Sequence, residues 1–345
     1  MRRASPVTRA LLLAAVVASL GACGSDDDGA GSAAGGGAGL PDAPTDEVGA
    51  PTDGPPEPSF EVSVRDGGLR DRLRGRDVPY RVYAPVGASG PAPVVLVSHG
   101  GTGNRTGFTT GEHVGRALAG AGFLAIHVGH LPSVDLATHL VDRPADVSVV
   151  LDRLEDGELA LPEAFAGTPD TSRVGHAGHS FGAYTAHAVG GATFDRTFTD
   201  ARVLAIAPIS PQGAGQFNAF DRGPEDNTWA TVTIPAFNLV GSEEIDGNDI
   251  GSVDEPGWRL VPFSRYPAEG DKFLTVVEGQ GHRDMWNLGD ETVKAYIAGE
   301  LVRFFSIYVA GDPTLSACDI GGPGAVEATT ERRADADASA LLGCG

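Results

Sequence analysis

The pentapeptide Gly178-His179-Ser180-Phe181-Gly182 constrains this chain more than any other stretch. The residues before it, Arg173-Val174-Gly175-His176-Ala177, suit a short buried strand, and those after it, Ala183 to Val189, are good helix formers without proline. A serine between the two must occupy a sharp strand-to-helix turn, in strained backbone, with its hydroxyl projecting from the top of a sheet. Glycines flank it because a Cβ at either position would collide with the neighbouring strand or helix. With 49 glycines in the chain, the bare spacing has little weight; its position between a strand and a helix gives it meaning. Ser180 is therefore the candidate nucleophile.

The rest of the chain supplies a matching frame. Phe60-Glu61-Val62-Ser63-Val64 alternates as a strand, and Val78 to Pro85 reads as its antiparallel partner. Val94 to Ser98 is a continuous apolar run, as expected of a central parallel strand covered on both faces. Further strands are expected at Phe123–Val128, Val203–Pro208, Ala236–Val240 and Phe273–Val277, with helices at about His113–Ala121, Pro144–Leu154, Ala183–Val189 and Asp290–Tyr308. Strands alternating with helices predict an α/β class, a mostly parallel doubly wound sheet with helices on both faces.

Both ends fall outside that pattern. In residues 1–22, Arg2, Arg3 and Arg9 precede the apolar run Ala10 to Leu20, which describes a secretory signal too short to span a bilayer. Leu20-Gly21-Ala22-Cys23 resembles a bacterial lipobox, so Cys23 is the expected site of lipidation. Residues 23–58 hold almost no large apolar side chains and read as a tether, roughly 30 Å end to end if coil-like. The catalytic domain is expected over 59–310. A tail over 311–345 follows, either an appendage packed on the domain or a partly disordered end. With Cys23 acylated, two of the three cysteines remain, Cys318 and Cys344, an expected disulfide in an exported chain. Its loop of about 26 residues would stabilise the tail by roughly 3.5 kcal/mol.

The formal charge of −21 becomes about −24 once the three signal arginines are removed. Such a surface repels phosphates, which excludes nucleic acid as a partner. A membrane is expected only through the lipid anchor.

A serine nucleophile needs a base, a group to orient that base, and donors for an oxyanion. His282, in Gly279-Gln280-Gly281-His282, follows the strand Phe273–Val277 at the edge where open sheets bind ligands, and is the expected base. His187 lies within the helix expected after Ser180 and reads as a packing or exposed residue. The acid should follow the strand Ala236–Val240, where Gly241-Ser242-Glu243-Glu244 and Asp246 cluster. Glu244, Asp246 and Glu243 are the candidates there, and the resemblance described below implies Glu244. The oxyanion donors should be the backbone amides of Phe181 and of Gly101, in the loop Ser98-His99-Gly100-Gly101-Thr102-Gly103, with Thr102 behind it. That loop lacks the Gly-Lys-Ser/Thr ending of a phosphate cradle. The pairs His127/His130 and His176/His179 lack a third ligand at useful spacing and read as structural, so neither a metal nor another cofactor is expected. Trp229, Trp258, Trp286 and Phe263 are candidates either for an acyl pocket or for loop anchors.

With these residues placed, the chain resembles the α/β-hydrolase superfamily. More narrowly, it is similar to the branch of predicted dienelactone hydrolases and platelet-activating-factor acetylhydrolase-like esterases. The landmarks are Ser98-His99-Gly100-Gly101, Arg143-Pro144-Ala145-Asp146 with the residues to Asp152, Gly178 to Ala186, and Gly281-His282, spread over about residues 75–308. The resemblance implies an α/β-hydrolase fold and serine-dependent carboxylic ester hydrolysis without a cofactor, on small-molecule, lipid or polymer esters. The family's usual acid is Asp where this chain has Glu244, and true dienelactone hydrolases carry cysteine where this chain has Ser180. A lipase or cutinase-like polyester hydrolase, and a non-catalytic surface binding protein on a hydrolase scaffold, are the alternative readings.

Overall fold

The computed structural model describes residues 58–101, 105–194, 196–216, 227–247, 256–322 and 324–333, all within one compact unit. Cys23, Thr102 and Cys344 lie outside the described residues, and with them the expected lipidation, the second oxyanion candidate and the disulfide pairing.

Nine strands form the sheet: β1 (Val62–Asp71), β2 (Arg76–Pro85), β3 (Pro91–Ser98), β4 (Leu124–Val128), β5 (Thr168–His179), β6 (Val203–Ile209), β7 (Ala236–Gly241), β8 (Lys272–Val277) and β9 (Ala328–Arg333). Their order is β1-β2-β4-β3-β5-β6-β7-β8-β9. The six strands from β3 to β8 run parallel, and antiparallel strands close both edges, β1 and β2 on one side and β9 on the other. The chain leaves β3 for β4 on one flank and reaches β5 on the other. That reversal opens a crevice beyond the carboxyl ends of β3 and β5.

Helices α1 (Glu112–Gly120), α2 (Leu136–Glu155), α3 (Phe181–Val189), α4 (Val261–Arg265) and α5 (Glu291–Phe305) cover the two faces. On one face, Val94 and Leu96 of β3 join α2, α3 and α4 in one apolar core. On the other, Val95 and Val97 join α1 and α5 in a second core. Alternate side chains of one strand thus serve both cores, which is why β3 reads as an unbroken apolar run. No helix among the described residues is long and apolar enough to cross a membrane.

Two differences from the sequence reading have local causes. Helix α2 begins at Leu136, two turns before the expected start at Pro144, with the Asp135 side chain capping it through the Thr138 amide at 2.8 Å. Pro144 sits inside the helix and cannot donate to the Leu140 carbonyl. The Tyr184 hydroxyl of α3 donates to that carbonyl instead, at 2.8 Å, so the proline is tolerated. The sheet also extends past the expected domain end at Ala310. Strand β9 lies within the expected tail and pairs with β8 along its whole length. Its sequence, Ala-Thr-Thr-Glu-Arg-Arg, lacks an apolar face because it is an edge strand, held by Thr330 against Thr275 at 2.8 Å and by the Arg333 guanidinium over the Phe263 ring.

Candidate active site

Ser180 follows β5 directly and precedes the first residue of α3. Its φ of 55° is in the region that L-residues with side chains avoid, a strain that holds the hydroxyl up and out of the sheet. The flanking glycines are sterically required. A Cβ on Gly178 would overlap the Gly182 carbonyl, and one on Gly182 would overlap the Ser98 carbonyl. Helix α3 therefore crosses the strand ends at a distance that no other residue allows.

His282 and Glu244 converge on this serine from the carboxyl ends of β8 and β7. The Ser180 hydroxyl is 2.9 Å from His282 Nε2, and His282 Nδ1 is 2.6 Å from Glu244 Oε2. The Glu244 carboxylate is fully buried and accepts three further bonds. Ser210 Oγ and the Gly241 amide donate to Oε1 at 2.5 and 3.1 Å, and Arg259 Nε pairs with Oε2 at 2.9 Å. Burial pushes this carboxyl up, but the His282 bond, the Arg259 charge and the Ser210 hydroxyl outweigh it and hold it below the ordinary glutamate range. An ionised Glu244 can only accept, so Nδ1 of His282 carries the proton and Nε2 is left to accept from Ser180. Asp246, the alternative acid, instead accepts from the Gly257 amide at 2.7 Å, and Glu243 is exposed.

Gly100 passes close over Ser180, and Gly101 follows it along the cleft. A Cβ on Gly100 would lie 3.0 Å from Ser180 Cβ, and Gly101 has φ of 77°, which glycine adopts without strain. Phe181 opens α3, so its amide points toward the helix N-terminus, beside Ser180. A cleft of about 360 Å³ opens here, lined among others by Gly100, Gly101, His179, Ser180, His282 and Trp286.

The remaining histidines and aromatics separate cleanly. His179 stacks flat on Trp286, with ring centres 5.4 Å apart, and its Nε2 meets the His282 carbonyl at 2.8 Å, tying the loop that carries His282 to the turn at Ser180. His187 is buried against the Tyr266 hydroxyl at 2.6 Å. His130 and His176 both bond Ser98 Oγ, at 2.9 and 3.0 Å, and His127 Nδ1 meets the Thr110 carbonyl at 3.1 Å. Of the four aromatics considered for an acyl pocket, Trp286 lines the cleft, whereas Trp229, Trp258 and Phe263 are buried away from it.

Several residues at the site escaped the sequence reading. Ser210 has φ of 50°, and nothing in its sequence context signals that conformation. Arg259 lies 15 residues beyond its carboxylate, in a stretch without a motif. Arg143 was legible as one of the residues carrying the resemblance but not as a neighbour of the Gly100-Gly101 loop, whose His99 and Gly101 carbonyls its guanidinium holds. The sequence matches no family model and no curated protein.

Proposed function

We propose that this chain is a serine-dependent carboxylic ester hydrolase of the α/β-hydrolase fold that works through an acyl-enzyme. The observation that carries the reading is the aligned relay from Glu244 through His282 to Ser180, open to a cleft at the carboxyl edge of the parallel strands. In this reading Ser180 Oγ attacks the ester carbonyl while His282 Nε2 takes its proton. Glu244 steadies the imidazolium that forms, without itself taking the proton. The amides of Phe181 and Gly101 hold the oxyanion. The tetrahedral intermediate collapses, His282 protonates the departing alcohol, and the acyl group stays on Ser180. Water then enters, gives its proton to His282, and releases the acid by the same steps.

The relay supports catalysis over a retired binding scaffold, because binding alone would require neither the positive φ at Ser180 nor the buried, fully bonded carboxylate. Residues 1–23 support export and acylation at Cys23, which would hold the domain at the cell envelope as a lipoprotein. Incubation with a fluorophosphonate probe and with short p-nitrophenyl esters tests the activity. Wild-type protein should label and turn over, Ser180→Ala should do neither, and equal turnover in the two proteins would refute the assignment.

A further inference from the structure

We propose that Arg143 is a positioning residue that fixes the two oxyanion amides relative to each other, an inference resting on the hydrolase reading above. Arg143 lies on α2, has no solvent exposure, and touches both donor-bearing segments. Its Nη1 donates to the Gly101 carbonyl at 3.1 Å and its Nη2 to the His99 carbonyl, gripping the loop after β3 on either side of Gly100. Its Nε donates to Thr185 Oγ1 at 3.0 Å, and that hydroxyl donates to the Phe181 carbonyl at 3.2 Å. The guanidinium carbon also lies 4.8 Å from the centre of the Phe181 ring. One rigid five-donor fork therefore joins the loop of one strand to the helix of its neighbour.

The direction of the Gly101 amide follows from the same loop. Across a trans peptide an N–H points opposite to the preceding carbonyl. The Gly100 carbonyl accepts from His99 Nδ1 at 2.8 Å. The proton must be on Nδ1, because His99 Nε2 accepts from the His130 backbone amide at 3.1 Å, and an amide can only donate. Since His130 lies just beyond β4, the His99 ring sits on the β4 flank of β3. The Gly101 N–H accordingly faces the opposite flank, where Ser180 follows β5.

Arg143 is also an unusual choice for stability alone. Among the described residues it forms no ion pair, since the nearby Asp146 carboxylate is taken by Arg74, Arg76 and His130. A buried cation whose hydrogen bonds all go to neutral acceptors is costly to desolvate, and the Asp146 charge offsets that burial only in part. Unlike a lysine ammonium, the planar guanidinium holds its donors in a fixed fork, so its three acceptors in two segments are held in one set geometry.

Two variants and a transition-state mimic test the role. Arg143→Lys keeps the charge but not the fork, and Thr185→Val breaks only the link to α3. In Arg143→Lys, kcat should fall about 10- to 100-fold with KM within about twofold, and the inhibition constant of a trifluoromethyl ketone ester analogue should rise by the same factor as kcat falls. Thr185→Val should show the same split at about 3- to 10-fold. A structural role alone would lower the melting temperature without weakening the ketone relative to the substrate. Unchanged ketone affinity in folded Arg143→Lys would overturn the proposal; if that variant does not fold, unchanged ketone affinity in Thr185→Val overturns it. Wild-type protein that neither hydrolyses esters nor binds the ketone would overturn the hydrolase reading as well, whereas an active wild type with unaffected variants overturns this inference alone.

Discussion

Two chains of carboxylate, imidazole and serine hydroxyl run side by side in this molecule. One is Glu244–His282–Ser180; the other is Asp146–His130–Ser98, with His130 Nδ1 at 3.1 Å from Asp146 and Nε2 at 2.9 Å from Ser98. The connectivity, atom for atom, is the same. What differs is the surroundings of each serine. Ser98 ends a regular strand, is fully buried, and shares its oxygen with a second imidazole, His176. Ser180 stands at a strained φ, in a cleft, with Gly100 passing above it. The carboxylates differ as well. Burial raises Asp146 despite its bonds to Arg76 and Arg74, whereas the partners of Glu244 overcome burial and keep it ionised. Hydrogen-bond connectivity therefore does not tell the two apart; access and backbone strain do.

The sharpest way to break this comparison is to remove each serine. Ser180→Ala should lower ester turnover by about 10⁴-fold or more, while Ser98→Ala should stay within about tenfold of wild type and lose stability instead, about 1–3 kcal/mol from the unpaired imidazoles. The reverse pattern, measured by steady-state kinetics and chemical denaturation, would exchange the roles. Next in size is the acid. Glu244→Gln should reduce kcat about 10³-fold or more, because an amide cannot stabilise the imidazolium, whereas Asp246→Asn should leave kcat within about twofold.

The buried histidines around both serines should make the fold acid-sensitive. Burial drags His99 and His176 down to about 3, and His130 well below its ordinary value, so all three are neutral in the folded protein. In the unfolded chain they take up protons as pH falls through about 6.5. Each folded-state value is depressed, so stability is full above that pH and is lost as pH falls toward about 3. The loss should be about 1 kcal/mol per buried histidine per pH unit below 6.5. Denaturant titrations at pH 7.0 and 5.5 measure it; a flat response would show these histidines to be charged or solvated. The smallest expected effect concerns α2, which carries Asp146. Tyr184→Phe should cost about 1–2 kcal/mol by leaving the Leu140 carbonyl without its donor, with kcat nearly unchanged.

What the sequence could determine was local. The strained turn at Ser180 was legible because a strand, two glycines and a helix lie within about fifteen residues, and their sterics need no distant partner. The parallel strands were legible for the same reason, since being covered on both faces turns each into an apolar run. His282 followed from its place just after one such strand, and the acidic cluster Glu243, Glu244 and Asp246 from its place after another, with Glu244 favoured only by the resemblance. Distant contacts decided the rest. Glu244 is set apart from Asp246 by Ser210, Gly241, Arg259 and His282, which converge from separate segments of the chain. Pro144 lies inside a helix because a tyrosine 40 residues away donates to Leu140. Strand β9 exists because β8 presents an open edge, not because its polar residues favour a strand. Ser98 reads in the sequence only as the end of an apolar strand; its bonds to His130 and His176 exist only in the folded chain, because contacts between distant segments are a property of the packed assembly rather than of any one segment.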